Sequence, residues 1–295
     1  MTDRRAELLL VLTTILAAGG WIFSKESLAE MPTFAFLGSR FFLASLILLA
    51  FCYKDLLKAS LQELRKAFGC GLLLAIAILL WIYSLSISDT LGEGAFIMSL
   101  TMLFVPFIGW LLFKQPPNAS FWIALPVALL GLGFLSLANG WELASSQVWF
   151  LASAFTFAFQ FNIVSRVAKT LPTMLLTCIQ LFVTGILGLT LSFLFEEVPT
   201  SISPDIWLWF AMSIVLATCL RFVCQTRGQK GTTATNAAFI MILEPIFTVI
   251  FSVLWYSEPM PPQKVIGCLL ILTALIGYRG GFSWIGKRML AARGS

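Results

Sequence analysis

Ten long apolar runs constrain this chain more than any other feature of its sequence. They fall at residues 7–24, 33–53, 67–87, 92–113, 119–138, 147–165, 172–195, 206–226, 233–256 and 264–284. Each run has about the 20 mostly apolar residues that a helix needs to cross the hydrocarbon core of a bilayer. The runs are too long and too continuous for the alternating strands of a membrane barrel. We therefore predict an all-α membrane protein with ten transmembrane helices.

The composition of the 295 residues agrees with a membrane location, since 59% are hydrophobic and only 11% are charged. Soluble proteins average about 45–50% apolar and about 25% charged residues. The chain has no histidine, which excludes a histidine-based catalytic triad and an imidazole metal site. Its sequence also lacks a phosphate-binding loop, a zinc spacing and a dinucleotide fingerprint. We therefore expect no enzyme, no cofactor and an energy source other than ATP.

The basic residues predict how the helices are oriented. When the N-terminus is placed in the cytoplasm, most of the 19 Lys and Arg residues fall in inner segments, and only Lys25 and Lys264 fall in outer ones. Short cytoplasmic loops of membrane proteins are enriched in Lys and Arg. We therefore expect both termini in the cytoplasm and a location in the bacterial inner (plasma) membrane. The net charge of +5 follows from this topology and does not indicate a nucleic-acid partner.

The two halves of the chain are related to each other. The residues at 95–98, Ala-Phe-Ile-Met, recur at 238–241, and the lengths of the apolar runs match between the halves. This similarity predicts two five-helix repeats, at residues 7–138 and 147–284. Because five is an odd number, the second repeat enters the membrane from the opposite side and the repeats are inverted. Inverted repeats can open a midplane site alternately to the two sides of a membrane.

Several short motifs occur in a fixed order along the apolar runs. They are Gly20-Trp21 and Lys25 near the end of the first run, Pro32 before the second, Arg40 within it, Leu243-Glu244-Pro245 in the ninth, and Glu258-Pro259 after it. Together with the five-plus-five arrangement, these motifs resemble the drug/metabolite transporter superfamily, in particular its ten-span EamA-like members. The resemblance covers about residues 7–280.

This resemblance implies a secondary transporter, frequently an exporter of amino acids or related metabolites. It also implies a central cavity lined by the first, third, fourth, sixth, eighth and ninth spans. The fourth span departs from the family pattern, because Thr101-Met102 stand where a proline is expected. Gln115 likewise stands where a glutamate like Glu258 is common.

Charged residues within the spans are the first candidates for a transport site, because each costs roughly 2.5–3.5 kcal/mol at the bilayer centre. Glu244 lies near the middle of the ninth span, where it would bind a substrate ammonium group, carry a proton or form a structural hydrogen bond. Arg221 and Gln225 lie one turn apart on the eighth span, where the arginine would bind a carboxylate, pair with Glu244 or extend to the headgroups. The predicted spans place Arg221 and Glu244 at depths that differ by roughly 8–10 Å.

The remaining candidates are residues for which a structural role competes with a functional one. Arg40 would act in coupling or gating or form a structural pair, and Lys25 would be a gate or an interfacial anchor. Gln160 would contact the ligand or hydrogen-bond to another helix. The candidate cavity walls are Trp21, Tyr83, Met98 and Phe239.

These residues predict an alternating-access transporter that exports a small polar or zwitterionic, amino-acid-like metabolite. The main reason is that Arg221 and Glu244, facing one cavity, would complement the two charges of a zwitterion. The expected partners are this small-molecule substrate, membrane lipids and protons as a candidate coupling ion. Efflux of amphipathic cationic compounds is an alternative, and an intramembrane lipid-modifying enzyme or a membrane scaffold are more distant ones.

Overall fold

A computed structural model describes residues 4–87, 91–117, 119–136, 145–197, 202–257 and 262–278. Its helices are α1 (Arg4–Ser27), α2 (Thr33–Lys58), α3 (Leu61–Ser86), α4 (Leu91–Phe113), α5 (Ala119–Ser136), α6 (Ser145–Val167), α7 (Thr173–Phe195), α8 (Pro204–Ile214), α9 (Arg221–Lys230), α10 (Ala234–Met241), α11 (Glu244–Tyr256) and α12 (Pro262–Ile276). A π-helical segment, Val215–Leu220, joins α8 to α9. Within these ranges there is no β-strand, which confirms the predicted all-α fold.

In the described part of the chain, seven helical segments are long and apolar enough to cross a membrane. They are α1, α2, most of α3, α6, α7, the continuous stretch Pro204–Lys230 and the stretch Ala234–Tyr256. Three shorter apolar helices lie within α4, α5 and α12. In chain order these segments correspond to the apolar runs of the sequence, so we refer to α8–α9 as the eighth span and α10–α11 as the ninth. The molecule is an integral, multi-pass membrane protein.

Two carboxylates tie the connecting segments together at one end of the bundle. Glu30, after α1, accepts hydrogen bonds from the backbone N–H of Ser203 (2.7 Å) and from its hydroxyl (2.6 Å). These hydrogen bonds lower the pKa of Glu30. Glu196, after α7, accepts hydrogen bonds from the backbone N–H groups of Phe34 and Ala35 at 2.7 Å each. Both carboxylates lie at helix N-termini, where the helix dipole favours negative charge. We name this end of the bundle the acidic face.

Contacts at the opposite end bring together α1, α7 and α9. Lys230, the last residue of α9, donates a hydrogen bond to the carbonyl of Leu171 at 3.1 Å. Gly228 lies against the first turns of α1, where an added Cβ would meet the Leu10 side chain at 2.6 Å and the Ala6 carbonyl at 3.0 Å. The start of α1 and the end of α9 are therefore at the same end of the bundle, which we name the basic face.

Each helix packs against a defined set of neighbouring helices. α2 lies along α7, α5 along α12, and α4 against α10. α6 contacts α3 and α4, and α3 also contacts α7. α1 packs against both parts of the eighth span and both parts of the ninth. α6 also contacts α9 and α10, so α1 and α6 each pack against both the eighth and the ninth spans.

The α2–α7 contact depends on glycines that let the two backbones approach. A Cβ added to Gly38 would lie 2.7 Å from the carbonyl carbon of Gly188, and one added to Gly185 would lie 2.7 Å from the Cα of Phe42. No side chain can move aside to relieve a contact with backbone atoms. Small residues of this kind are the usual means by which membrane helices pack closely, because lipid offers no hydrophobic drive for their association.

We expect Gly38→Val to destabilise the protein by about 1–3 kcal/mol, the usual cost of overpacking. The matched control is Gly69→Val in α3, where an added Cβ meets nothing within 4 Å. Thermal unfolding in detergent, followed by tryptophan fluorescence, should show a lower Tm for Gly38→Val and little change for Gly69→Val. Equal Tm values for the two variants would contradict this account of the α2–α7 interface.

Candidate functional site

The ninth span is interrupted in its middle. α10 ends at Met241, and α11 begins at Glu244 with Pro245 as its second residue. Proline lacks a backbone N–H and is accommodated in the first turn of a helix, but it disrupts the turn that precedes it. The break between Met241 and Glu244 lies in that preceding turn. Glu244 consequently lies at the N-terminus of α11, where the helix dipole stabilises a carboxylate.

The Glu244 carboxylate lies beside an aromatic wall contributed by α1 and α3. The indole Nε1 of Trp21 donates a hydrogen bond to Glu244 Oε1 at 3.3 Å. The Trp21 ring packs edge-to-face against Trp81, with ring centroids 5.3 Å apart. The hydroxyl of Thr248 donates to the backbone carbonyl of Glu244 at 3.0 Å. Glu244 is half-buried. Among the described residues, its carboxylate accepts a hydrogen bond from the Trp21 indole.

The eighth span has its own irregularity at a similar place in the bundle. Residues Val215–Leu220 form a π-helical segment, and the Thr218 hydroxyl donates to the Ser213 carbonyl at 2.9 Å. π-helical turns are rare and occur frequently at functional sites, because the wider turn frees backbone groups for other contacts. Here the freed groups meet the side chain of Arg40, which reaches the segment from α2.

Arg40 is buried, and it is held by neutral polar groups from α1 and the eighth span. Its Nε donates to the Thr218 hydroxyl (2.5 Å), one Nη to the Ser24 hydroxyl (2.8 Å), and the other Nη to the Ala217 carbonyl (3.2 Å). The structural pairing predicted for Arg40 is therefore made with two hydroxyl groups and a helix carbonyl. Of the acidic residues in the outer loops of the predicted topology, Glu30 is bonded to Ser203, and Asp89 lies outside the described residues.

Arg221 and Glu244 lie at nearly the same depth, so the predicted difference of roughly 8–10 Å is wrong. Arg221 is the first residue of the ten-residue α9, and Glu244 follows the eight-residue α10 and its short break. Both residues are therefore about 14–15 Å from the basic end of their spans at about 1.5 Å per residue. The prediction ended the eighth span at residue 226, whereas the helix continues to Lys230.

Arg221 and Glu244 carry opposite charges on two spans that both pack against α1. Arg221 Nε and Gln225 Oε1 are both buried without a hydrogen-bond partner among the described residues. A guanidinium group is suited to binding a carboxylate through two parallel hydrogen bonds. The arrangement thus offers a free donor and a free acceptor on one helix, at the depth of a carboxylate on another.

Two further candidates lie at the acidic half of the bundle. The ammonium group of Lys25 lies 4.1 Å from the centre of the Tyr256 ring, in a cation–π contact. Tyr83 is 43% exposed and packs edge-to-face on Trp149, with centroids 5.4 Å apart. Tyr83 also lines a groove of about 380 Å³ whose other walls are apolar. The structure therefore places Tyr83 at an apolar groove and Lys25 at the acidic face.

Three candidates remain, of which Gln160 and Phe239 contact other residues. Gln160 is buried, and its Nε2 donates to Gln180 Oε1 at 3.0 Å, which is a helix–helix contact. Phe239 is 1% exposed and stacks on Tyr278, with centroids 4.2 Å apart. Met98 is half-buried in α4. The residues that the structure brings together are therefore Trp21, Arg40, Arg221, Gln225 and Glu244.

Sequence reasoning did not identify two residues that take part in or adjoin this site. Ser24 holds Arg40 together with Thr218, which shares a helix face with Arg221 and Gln225. Gln229 is buried, and both its amide atoms lack a partner among the described residues. The signal for Gln229 was available, because Arg221, Gln225 and Gln229 are spaced four residues apart and share one face of a helix. The contact of Ser24 has no comparable sequence signal.

The fold and the site together define a polytopic membrane protein of the transporter class. The model of the EamA-like transporter family matches residues 4–137 and 144–279, and the chain belongs to this family. Its similarity to an uncharacterized transporter of Archaeoglobus fulgidus is 26% identity over 271 residues, covering 92% of this chain and 84% of the relative. The uncharacterized transporter YwfM of Bacillus subtilis is 23% identical over 57% of each chain.

A solved structure, described only as a crystal structure of a protein, has the same fold. Its TM-score is 0.82 at 16% sequence identity, and the alignment covers 98% of this chain and 99% of that one. At this level of identity the likeness concerns the fold alone. The chain is therefore a transporter of the drug/metabolite transporter superfamily, and its homologues are likewise named transporters.

We expect Arg40 and Thr218 to be energetically coupled. In a double-mutant cycle of Arg40→Lys and Thr218→Val, the loss of unfolding free energy should be about 1–2 kcal/mol smaller for the double variant than the sum of the single losses. Thr177→Val is the control, because Thr177 bonds to Thr226 and not to Arg40. Its effect should add to that of Arg40→Lys. Additive losses for the Arg40–Thr218 pair would show that this hydrogen bond contributes nothing to stability.

Proposed function

We propose that this transporter moves a small polar or zwitterionic metabolite, with amino-acid-like compounds as the preferred class, and that it acts as an exporter. The observation that carries the proposal is the position of Arg221 and Glu244. They lie at one depth on adjacent spans, and the buried Nε of Arg221 has no partner among the described residues. A molecule with a carboxylate and an ammonium group would satisfy both side chains at once.

The cost of buried charge favours such a substrate. A charged side chain inside the membrane is costly unless it faces a partner or water. A substrate carboxylate would take the unfilled hydrogen-bonding positions of Arg221, and its ammonium group would bind the Glu244 carboxylate. The Trp21–Trp81 pair would add a cation–π contribution to ammonium binding.

The proposed architecture is ten spans in two inverted repeats, at residues 7–138 and 147–284. If spans one to five are exchanged with spans six to ten, α3 corresponds to α8–α9 and α6 corresponds to α1. The contact between α3 and α6 then corresponds to the contact between α8–α9 and α1. In the same way, the contact between α4 and α6 corresponds to the contact between α10–α11 and α1. The α2–α7, α5–α12 and α4–α10 contacts map onto themselves. This exchange pattern is the one expected of two repeats related by a two-fold axis, and the separate family match to each half supports it.

We propose that the basic face is cytoplasmic, with both termini there, and that the protein resides in the bacterial inner membrane. The distribution of Lys and Arg supports this orientation. An apolar cluster closes the basic half of the bundle, with Leu10 of α1, Ile108 of α4, Phe161 of α6 and Met241 of α10 among its members. In alternating access, this cluster would separate when the site opens to the cytoplasm. The interruptions in the eighth and ninth spans would be the hinges.

Efflux of amphipathic cationic compounds is a second candidate function. The contact of Glu244 with Trp21, and of Trp21 with Trp81, is the observation that favours it, since an aromatic wall next to a carboxylate suits a lipophilic cation. Arg221 opposes it, because its positive charge lies near the same carboxylate and would repel such a compound.

We expect Arg221→Gln to reduce the transport of zwitterionic amino acids by roughly 10- to 100-fold, because a hydrogen bond to a charged group is worth about 1.5–3 kcal/mol. Arg227→Gln is the matched control, since Arg227 is exposed on the same helix. Counterflow in proteoliposomes with labelled amino acids and with cationic dyes measures both classes. Wild-type rates for Arg221→Gln would contradict the proposed carboxylate site, and transport of dyes alone would favour the second function.

If Glu244 carries the coupled proton, Glu244→Gln should abolish uptake driven by a pH gradient while substrate exchange without a gradient survives with a raised KM. The amide cannot take up or release a proton, but its oxygen still accepts hydrogen bonds from an ammonium group. Glu197→Gln, which changes an exposed carboxylate at the acidic face, is the control. Gradient-driven uptake that is unchanged in Glu244→Gln would exclude Glu244 as the proton carrier.

A further inference from the structure

Unpaired polar atoms are concentrated on one face of α9. Seven buried side-chain atoms lack a hydrogen-bond partner in the described part of the chain, and four of them belong to Arg221, Gln225 and Gln229. These three residues are spaced four apart, so they form a single stripe that extends about 12 Å from the Arg221–Glu244 site toward the basic face. We name these three residues the α9 stripe.

The neighbours of α9 show where this stripe points. On one side of α9, Gly228 packs against Leu10 of α1. On another side, Thr226 accepts a hydrogen bond of 3.1 Å from the hydroxyl of Thr177 on α7. At about 100° of rotation per residue around the helix axis, the α9 stripe lies between the directions of Gly228 and Thr226. The stripe therefore faces the interior of the bundle and not the lipid.

Gln229 is the most unusual member of the stripe. It is 1% exposed, and neither its amide oxygen nor its amide nitrogen has a partner among the described residues. Buried amides elsewhere in the described chain are paired, since Gln160 donates to Gln180, and Asn162 donates to two backbone carbonyls. Burying an amide with both atoms unpaired is costly. The unpaired amide of Gln229 is explained if water or a solute reaches it in another conformation of the protein.

The route from the stripe to the basic face is closed in this structure. Lys230 bonds to the carbonyl of Leu171, and Gly228 packs on Leu10. The apolar cluster that contains Leu10 and Met241 fills the same half of the bundle. The unpaired atoms of the α9 stripe therefore lie behind these contacts, on the side of the central site.

We propose that the α9 stripe lines the path of the substrate between the central site and the basic face, and that Gln229 is a second, transient binding position on this path. The Gln229 amide offers one acceptor and one donor, so it would bind an ammonium group through its oxygen and a carboxylate through its nitrogen. The chemical class it fits is a small solute that carries both groups. This inference rests on the proposed function of the Arg221–Glu244 site.

The first test measures access of water to the stripe by thiol labelling. Single cysteines replace Gln225, Thr226, Gln229 and Thr232 in separate variants, and a small, water-soluble maleimide is added to protein in nanodiscs. The six native cysteines are all buried, and the unmodified protein supplies their background rate. Thr226 lies one turn deeper than Gln229, and Thr232 lies nearer the basic end, so these two variants bracket Gln229 in depth.

We expect Gln225→Cys and Gln229→Cys to react at least tenfold faster than Thr226→Cys, although residue 225 lies deeper than residue 226. We also expect Gln229→Cys to react faster than Thr232→Cys. A reaction rate that simply decreases with depth, from 232 to 229 to 226 to 225, would indicate fraying of the helix end and would overturn the proposal.

The second test compares stability with transport. Gln229→Met, which keeps the length of the side chain but removes its unpaired amide, should leave the Tm unchanged or raise it while slowing transport per folded molecule at least fivefold. Gln180→Met removes a paired amide and should lower the Tm, which provides the stability control. A lower Tm for Gln229→Met with unchanged transport per folded molecule would assign Gln229 a structural role and overturn the proposal.

The two tests separate this inference from the function on which it rests. If no amino acid is transported by the wild-type protein, the proposed function fails, but the order of labelling along α9 still decides whether the stripe is part of a hydrated path. If amino acids are transported and the stripe labels no faster than its neighbours, the hydrated path along α9 and its second binding position are lost, and the proposed function stands.

Discussion

A bilayer supplies no water to a buried charge, and this constraint organises the centre of the protein. Arg40, Arg221 and Glu244 lie within membrane-spanning helices, so other helices must supply their partners. Arg40 obtains them from Ser24 on α1 and from Thr218 in the π-helical segment. These contacts join spans one, two and eight around one guanidinium group, and Trp21 of the same α1 helix reaches Glu244 on span nine.

The irregular backbone of this protein occurs where its charges are. The π-helical segment adjoins Arg221, and the break between α10 and α11 precedes Glu244. Non-helical backbone within a membrane is tolerated only where it is buried in protein or lines a cavity. Both interruptions therefore fit a site between the spans. α2 and α7 pack closely through their glycine contacts beside the eighth span.

The sequence predicted the helices well because the bilayer sets their length and their apolar character. Pro245 accounts for the break near residue 241, since it cannot donate the hydrogen bond that a continuous helix requires. The sequence misjudged the depth of Arg221, because the last turn of α9 is polar and hydropathy ended the span too early. It grouped Gln160 and Phe239 with the site, although Gln160 pairs with Gln180 and Phe239 is buried in an aromatic stack.

The sequence by itself determined that this chain is helical, that it lies in a membrane, and that Arg40, Arg221 and Glu244 lie well inside its spans. These properties follow from composition and local pattern. Only the tertiary structure decided which charges meet and which polar atoms remain unpaired. Those relations depend on the rotation of each helix about its axis and on its neighbours, which close packing between distant segments fixes. Gln229 is polar in the sequence, but its unpaired amide exists only because α9 is packed among α1, α6 and α7.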